Sequence, residues 1–291
     1  MITIVTPTYN RAKKLITLYK SLLFQTSKDF DWLIIDDGSQ DNTKEIVESF
    51  VKEGSIPICY VYKENGGKHS ALNIAFKTVK SELLFIVDSD DVLTSDAIET
   101  ILKDWDAVKD RNPCGISYLR GYDEKSVIGD KHPQDHVIDN FINLRYNKGI
   151  DGDKAEVWRT ECLRDFQFPE YPGERFISES VAWIYLAKKW DMLMVNRIIY
   201  ITEYLEGGLS DSGRKLRFQC SNLMAYGSLM TMSKEFSTKI RIKETLLYIV
   251  YSKFGKKTFI HMMKCPYKGL VAFCYVPGVI LYTLWKKKYK M

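Results

Sequence analysis

The amino-acid sequence predicts an α/β protein with a mainly parallel central sheet, flanked by helices and followed by a helical, basic tail. Apolar, strand-like runs alternate with amphipathic helical patterns over the first 110 residues, and the strands begin near residues 2, 32, 58 and 83. This spacing is typical of successive βαβ units. The composition, with 45% hydrophobic and 27% charged residues in a chain of 291, indicates a globular protein with a large core and excludes wholesale disorder.

The first half contains four predicted strands, each followed by a helical pattern. The strands cover residues 2–6, 32–35, 58–62 and 83–87. The last of these is continuously apolar, as expected for a strand that is buried on both faces. The helices carry apolar residues three or four positions apart, and we expect Asn10, Asp41 and Ser95 to begin three of them as caps.

The second half has a less regular pattern, which indicates a mixed region. Strands are predicted over residues 116–122, 126–129 and 192–204. Helices are predicted over residues 178–189, 215–232 and 240–254, the first of them capped by Ser178.

Polar and glycine-rich loops follow each of the four strands in the first half. The loops are residues 6–10 (TPTYN), 36–39 (DDGS), 63–68 (KENGGK) and 88–91 (DSDD). Each lies at the carboxyl end of a parallel strand, which is the edge where open α/β sheets bind ligands. The four loops therefore predict a single site made of carboxylates, glycines and an aromatic ring.

The acidic loop 88–91 is the most specific of these signals. Its carboxylates Asp88, Asp90 and Asp91 would repel each other unless a cation lay between them. Oxygen ligands of this kind suit Mg²⁺ or Mn²⁺, with a bound phosphate or diphosphate completing the coordination. The alternative is that these acids cap the next helix or form an ordinary solvated turn.

The other three loops suit a nucleotide. Asp37 could accept a hydrogen bond from a nucleobase or a ribose hydroxyl, and Tyr9 could stack on a base. Residues 65–68 open a helix and could bring backbone N–H groups and Lys68 to an anion. Each feature also has a plainer interpretation, as a turn or as packing. Residues 65–68 match neither the dinucleotide nor the P-loop glycine pattern, so those two kinds of nucleotide site are not predicted.

Four ordered motifs, IVTPTYNRA, LIIDDGSQDNT, ENGGKHSALNIA and FIVDSDD, resemble those of the inverting family 2 glycosyltransferases, which have the GT-A fold, a Rossmann-like sheet flanked by helices. The resemblance covers residues 1–110 and implies a nucleotide-diphospho-sugar donor, with UDP favoured and GDP or dTDP as alternatives. It implies donor contacts from Thr6, Pro7, Tyr9, Asp37, Gly67, Lys68, Asn73, Asp88 and Ser89. It also implies a Mn²⁺ or Mg²⁺ cofactor, held by Asp90 and Asp91.

The resemblance is looser in the second half, where such enzymes carry an acidic pair on a helix, one carboxylate of which is the catalytic base. Here Glu179 is followed by Ser180 in place of Asp. We expect Glu179 to be the base, with Glu174 as the alternative. Glu179 could instead only support the start of its helix, beside Ser178. Residues 203–210 resemble the segment that closes over the donor, or form a simple turn.

The motifs divide the chain into a donor-binding half at residues 1–110, an acceptor-binding half of the same catalytic domain at 111–212, and a helical region at 213–291. We expect transfer of a sugar, with inversion, from a UDP-sugar to a hydroxyl of a glycan or lipid-linked acceptor, as in bacterial surface polysaccharide synthesis. Two alternatives are a non-catalytic nucleotide-binding scaffold tethered at a membrane and a sugar nucleotidyltransferase. The nucleotidyltransferase is disfavoured because residues 6–10 lack its usual glycines.

Charge is unevenly distributed along the chain. Residues 239–291 contain 12 Lys or Arg and one acidic residue, whereas residues 1–238 carry a net charge of −6. The uncharged stretch 269–285 would be about 26 Å long as a helix, short of a hydrocarbon core of roughly 30 Å. We expect Pro277 and Gly278 to interrupt it. The tail is therefore predicted to anchor on an anionic membrane surface, or else to form a buried hairpin on the body.

The expected location is cytoplasmic, peripheral at the inner face of the plasma membrane. The N-terminus lacks the pattern of a signal peptide. The six cysteines form no C-x-x-C pair, which is typical of reduced thiols. Nucleic acid is not an expected partner, because the basic residues of the tail are interleaved with a long apolar run.

Overall fold

The computed structural model describes residues 1–202 and 213–290. In this part of the chain, nine β-strands form one mixed sheet. The strands are β1 (Ile2–Thr8), β2 (Phe30–Asp36), β3 (Ile58–Tyr62), β4 (Leu83–Ile86), β5 (Val92–Leu93), β6 (Gly115–Gly121), β7 (Val137–Asp139), β8 (Lys154–Arg159) and β9 (Met192–Ile201). Their order across the sheet is β3-β2-β1-β4-β8-β6-β9-β5, with β7 paired to β9.

The first four strands are parallel, which confirms the α/β architecture predicted from the first half of the sequence. β1 lies between β2 and β4, with Thr8 level with Asp36 and Val5 level with Ile86. β3 lies outside β2, and its last residue, Tyr62, is also level with Asp36. The carboxyl ends of these strands therefore meet at one edge of the sheet.

The second half of the chain extends the same sheet with strands of mixed direction. β8 is antiparallel to both β4 and β6, whereas β9 runs parallel to β6. β5, only two residues long, pairs antiparallel with β9. The predicted strand at 126–129 is wrong, since it contributes only a single bridge from Val127 to Gly121. The reason is a turn, in which the Asp123 carboxylate accepts hydrogen bonds from the N–H groups of Lys125 and Ser126.

Helices cover both faces of the sheet. They are α1 (Ala12–Leu23), α2 (Thr43–Glu53), α3 (Lys68–Thr78), α4 (Ala97–Val108), α5 (Thr160–Leu163), α6 (Ser180–Ala187), α7 (Gly213–Gln219), α8 (Ser221–Met230), α9 (Thr238–Phe254), α10 (Phe259–Met262) and α11 (Lys268–Tyr289), with a 3₁₀ turn at Lys109–Arg111 and a π-turn at Asn143–Asn147. The apolar sides of α1, α2 and α4 share one buried cluster, and those of α3, α5, α6 and α8 share another. Alternate residues of the strands face the two clusters, so the clusters lie on opposite sides of the sheet.

The predicted caps are partly right. Asp41 accepts a hydrogen bond from the N–H of the first residue of α2 at 3.2 Å, as expected, and another from the Ala12 N–H that begins α1. Asn10 does not cap α1, because its side chain accepts a hydrogen bond from the Gln40 N–H instead. α4 begins at Ala97, two residues after the predicted start. The Asp41 carboxylate therefore connects the N-termini of α1 and α2.

α11 packs along α9 in a third buried cluster. Val271, Cys274 and Gly278 form its buried side, and a Cβ added to Gly278 would lie 2.8 Å from Cγ2 of Ile249. The helix is continuous through Pro277, so the expected interruption is wrong. Close packing of the neighbouring Gly278 on α9 stabilises the helix where proline removes one backbone hydrogen bond.

Gly278→Ala should destabilise the protein, because the new methyl group would overlap Ile249. We expect a loss of about 1–3 kcal/mol, seen as a lower thermal midpoint. The matched control is Gly269→Ala in the same helix, where an added Cβ meets no atom within 4 Å. The helix propensity of alanine should leave the midpoint of this control unchanged or raise it. Equal midpoints for the two variants would contradict the close packing of α11 on α9.

Candidate active site

The four polar loops lie together at the carboxyl edge of the sheet and are joined by hydrogen bonds and ion pairs. Asp37, after β2, accepts hydrogen bonds from the glycine loop that follows β3. Lys68, at the start of α3, contacts Asp88 after β4. Arg11, after β1, contacts Asp90 in the same acidic loop. Sequence-distant motifs therefore form one cleft.

Asp37 organises the glycine loop. Its Oδ1 accepts hydrogen bonds from Lys63 Nζ (2.6 Å) and the Gly66 N–H (2.9 Å), and its Oδ2 accepts one from the Gly67 N–H (2.7 Å). Gly67 has φ +92°, and a Cβ there would lie 2.1 Å from the carbonyl oxygen of Arg175. Only glycine allows this approach to the second half of the chain. In this structure Asp37 and Gly67 therefore shape the loop.

Lys68 links the two sides of the cleft. Its ammonium group forms ion pairs with both Asp88 and Glu179. Burial alone would lower the pKa of Lys68, but the two carboxylates raise it above its usual value. Burial also opposes ionisation of Asp88, yet Lys68 and Arg120 together lower the pKa of that carboxyl. Lys68 and Asp88 are consequently both charged at neutral pH.

The acidic loop is held by Tyr200 of β9 and Arg120 of β6. The Tyr200 hydroxyl accepts a hydrogen bond from the Asp88 N–H (2.9 Å) and donates one to Asp91 Oδ2 (2.7 Å). The Arg120 guanidinium lies over the Tyr200 ring and 3.8 Å from carboxylate oxygens of Asp88 and Asp91. Asp91 is 5% exposed, and burial, reinforced by the charge of Asp88, raises its pKa to about 7.

The acidic loop has the chemistry to hold a hard divalent cation. The side chains of Asp88 and Asp90 are 28% and 25% exposed, so they can be reached from the cleft. Mg²⁺ and related cations often bind one or two carboxylates and complete their coordination with substrate phosphates. Asp91, the other expected ligand, is buried, and its Oδ2 accepts a hydrogen bond from Tyr200. Within residues 1–202 and 213–290, no three His, Cys, Asp or Glu side chains converge.

Glu179 and Glu174, the two candidate bases, have different surroundings. Glu179 immediately precedes α6, and its carboxylate faces Lys68. Glu174 is 8% exposed and accepts hydrogen bonds from the N–H groups of Asn222 (3.0 Å) and Leu223 (2.8 Å). It therefore caps the first turn of α8.

Asn73, an expected donor contact, forms hydrogen bonds with the segment that follows α5. Its Oδ1 accepts a hydrogen bond from the Phe168 N–H (2.8 Å), and its Nδ2 donates to the Phe168 carbonyl (3.0 Å) and to Glu170 (2.8 Å). The side chain is buried. Asn73 instead joins α3 to the segment that leads to α6.

The remaining predicted donor contacts differ in accessibility. Tyr9 is 44% exposed at the end of β1 and can offer its ring to a base. Thr6 and Pro7 are buried within β1, and the Thr6 hydroxyl accepts a hydrogen bond from the Trp32 indole at 2.9 Å. Ser89 is also buried. The predicted closing segment, residues 203–210, lies outside the described residues.

Three charged residues of the cleft are not marked by the motifs as donor or acceptor groups. Arg11 lies 2.5 Å from Asp90 Oδ2, and Arg120 reaches the acidic loop from β6. Glu156 lies on β8 and is half-buried. Burial raises the pKa of Glu156 to about 7, and the charge of Glu179 acts in the same direction. A single carboxylate inside an otherwise apolar strand, as in AEVW, is the signal that could have marked it.

The family model for glycosyl transferase family 2 matches residues 3–163, which is more than half of the chain. The chain belongs to glycosyl transferase family 2. Among curated relatives, glycosyltransferase GlyG of Streptococcus pneumoniae is 35% identical over 102 residues, which cover 35% of this chain and 34% of GlyG. The poly(ribitol-phosphate) beta-N-acetylglucosaminyltransferase TarS of Staphylococcus aureus is 28% identical over 176 residues, covering 57% of this chain and 29% of TarS. The matched part of this family 2 chain thus spans about a third of each relative.

Solved structures of two transferases share the fold. TarS residues 1–349 in complex with UDP-GlcNAc superimposes with a TM-score of 0.61 at 19% identity, covering 87% of this chain and 72% of that one. The mannosyltransferase PcManGT of Pyrobaculum calidifontis, in complex with GDP-Man and Mn²⁺, gives 0.58 at 17% identity, covering 98% and 83%. These likenesses support the mixed α/β sheet with flanking helices for this family 2 member.

Asn73→Ala should destabilise the family 2 fold without weakening nucleotide binding. The substitution leaves the buried backbone N–H and carbonyl of Phe168 without their partner, at a cost of about 1–3 kcal/mol. Thr78→Ala, on the exposed end of the same helix, is the control and should have little effect. Thermal unfolding and titration with UDP measure the two properties separately. If Asn73→Ala were as stable as the wild type but bound UDP more weakly, Asn73 would be a donor contact and not a structural residue.

Proposed function

We propose that this chain is an inverting glycosyltransferase of GT-A type, which transfers a sugar from a UDP-sugar to a hydroxyl group of a glycan or lipid-linked acceptor. The observation that carries the proposal is the Lys68 link, which holds Asp88 and Glu179 on one ammonium group. Asp88, expected on the donor side, and Glu179, the candidate base, thus lie close together. This arrangement suits a direct displacement between two bound substrates. Membership of glycosyl transferase family 2 supports the transferase class.

The proposed UDP donor and divalent cation are based on the ligands of the two solved structures with a similar fold. TarS was solved with UDP-GlcNAc and with UDP, and PcManGT with GDP-Man and Mn²⁺. For this chain we propose a UDP-sugar donor, with the exposed ring of Tyr9 beside the base. Asp88 and Asp90 would hold Mn²⁺ or Mg²⁺ together with the donor phosphates. The proposed acceptor class places the enzyme in bacterial surface polysaccharide synthesis.

On the donor side, three cations surround the acidic loop. Arg11, Lys68 and Arg120 can orient the diphosphate and stabilise the negative charge that develops on it as it leaves. A divalent cation bound by Asp88 and Asp90 would supply further positive charge at the same place.

On the acceptor side, Glu179 is the proposed general base. Its carboxylate pairs with the Lys68 ammonium group, which also contacts Asp88 of the acidic loop. The carboxylate takes the proton of the acceptor hydroxyl while the hydroxyl oxygen bonds to the anomeric carbon. The bond from that carbon to the diphosphate oxygen breaks in the same step, and attack from the opposite side inverts the configuration.

Glu179→Gln should reduce sugar transfer roughly 10²–10⁴-fold, because the base is lost, while UDP affinity is retained. The matched control is Glu174→Gln, which should lower the thermal midpoint by weakening the α8 cap but retain transfer. Transfer can be measured as radiolabel moved from UDP-sugars, with Mn²⁺, to the lipid and glycan fractions of bacterial membranes. Transfer by Glu179→Gln at the wild-type rate would refute its role. UDP binding without any turnover in the wild type would favour the scaffold alternative.

α11 carries a second apolar face, which is exposed. Four large side chains spaced three or four residues apart form this exposed stripe: Phe273 (75% exposed), Val276 (66%), Ile280 (56%) and Leu284 (59%). By length and composition, with a mean hydropathy of 1.4, α11 could cross a membrane, but its other side packs on α9. One side of α11 therefore belongs to the protein core, and the exposed stripe needs another explanation.

We propose that the exposed stripe lies in the headgroup boundary of an anionic bilayer, at the inner face of the plasma membrane. Lys286, Lys287 and Lys288 follow the stripe directly, and residues 239–291 hold a single acidic residue. Charge complementarity therefore favours anionic lipid as the partner. An apolar helical face flanked by lysines is typical of interfacial helices.

Phe273→Glu combined with Ile280→Glu should abolish binding to vesicles that contain phosphatidylglycerol, because two charges would enter the apolar boundary. Phe24→Glu is the matched control, since Phe24 is also 75% exposed but lies at the end of α1. Co-sedimentation should show wild-type binding that falls with added salt and is absent with phosphatidylcholine alone. Equal sedimentation of the double variant and the wild type would exclude the exposed stripe as the contact.

A further inference from the structure

Glu156 is a carboxyl group near the cleft that the proposed mechanism does not use. It lies on β8 one residue before Val157, which pairs with Phe85 of β4, the strand that leads to the acidic loop. Its side chain is half-buried. Among residues 1–202 and 213–290, it has no hydrogen-bond or ion-pair partner, so its oxygens keep their capacity to accept hydrogen bonds.

The direction of the Glu156 side chain follows from its neighbour on the strand. Side chains two residues apart point to the same face of a sheet. Trp158 stacks on Trp183 of α6, with ring centres 4.3 Å apart, so Glu156 points toward the face that α6 covers. α6 is the helix that Glu179 immediately precedes.

The charges around Glu156 agree with this placement. Burial is the main cause of its raised pKa. Arg120 and Arg145 act to lower that pKa, whereas Glu179 and Asp153 act to raise it. Glu156 therefore lies within electrostatic reach of both the arginine that borders the acidic loop and the proposed base.

A transferred sugar must lie between the diphosphate at the acidic loop and the base that activates the acceptor. Arg120 marks the first boundary of this space and Glu179 the second. Glu156 lies on the strand next to β4, with its side chain on the side of the sheet that α6 covers. We propose that Glu156 accepts hydrogen bonds from hydroxyl groups of the transferred sugar and so helps to select the donor sugar. This inference rests on the proposed function. Sites that hydrogen-bond a substrate hydroxyl discriminate strongly against analogues that lack it or place it differently.

The test compares UDP with UDP-sugars, since only the sugar should depend on Glu156. Dissociation constants for UDP, UDP-glucose, UDP-GlcNAc and UDP-galactose are measured with Mn²⁺ by titration calorimetry. The proteins are the wild type, Glu156→Gln and the control Glu161→Gln, an exposed glutamate on nearby α5. We expect Glu156→Gln to bind UDP normally and the preferred UDP-sugar about tenfold more weakly, as for loss of one charge-assisted hydrogen bond. Glu161→Gln should match the wild type for all four ligands.

A second variant separates selection from a structural role. Glu156→Asp keeps a carboxylate but shortens the side chain by one methylene group. This variant should bind UDP-sugars more weakly and change the order of their three dissociation constants. Glu156→Gln should be at least as stable as the wild type at pH 8, because burial disfavours the ionised carboxylate in the folded state.

The outcomes separate the two proposals. Unchanged sugar affinity and ranking in both Glu156 variants would overturn the inference and leave the proposed function standing. Equal weakening of UDP and UDP-sugars would overturn it too, because Glu156 would then not act through the sugar. If the wild type bound neither UDP nor any UDP-sugar, the proposed function would fail, and the role of Glu156 would fail with it.

Discussion

A half-buried ammonium group between two carboxylates is the interaction on which the cleft depends. Lys68 begins α3, Asp88 follows β4 and Glu179 precedes α6, so one side chain ties three elements from both halves of the sheet. Charges removed from water must be paired and hydrogen-bonded to be tolerated. Two further cations lie beside the acidic loop: Arg11 pairs with Asp90, and Arg120 lies near Asp88. The result is a cluster in which carboxylates alternate with positive charges, at the place where we propose that the diphosphate binds.

The segment between α5 and α6 is the second support of the cleft. Asn73 of α3 bonds to its backbone, Gly67 approaches it closely, and Glu174 within it caps α8. These contacts connect the glycine loop and α3 to the segment before α6 and to the helical region. Two polar side chains, Asn73 and Glu174, therefore satisfy backbone groups that would otherwise lack partners. They fix the loops that present the charged side chains of the cleft, such as Lys68 and Asp88.

The apolar, basic tail is predicted either to anchor on a membrane surface or to pack on the body, and α11 has a face for each. One side of α11 completes a buried cluster with α9, and the exposed stripe remains on the other. Because the helix is held along its length, the exposed stripe can lie on a surface without leaving the body. In the membrane contact that we propose, the exposed stripe would lie in the bilayer boundary while the sheet stays in water.

The sequence by itself determined the α/β class, the four parallel strands and the meeting of their loops at one edge, since these depend on local periodicity and on where each strand ends. The tertiary structure alone decided which side chains remain free for a ligand. Asp91, Glu174 and Asn73 all lie at or near motif positions, yet their oxygens are bonded to residues from distant strands, helices and loops. Likewise, Pro277 in the sequence predicts an interrupted helix, but packing on α9 keeps α11 continuous. Local patterns report the conformation of a segment, whereas hydrogen-bond partners are set by contacts between segments far apart in the chain.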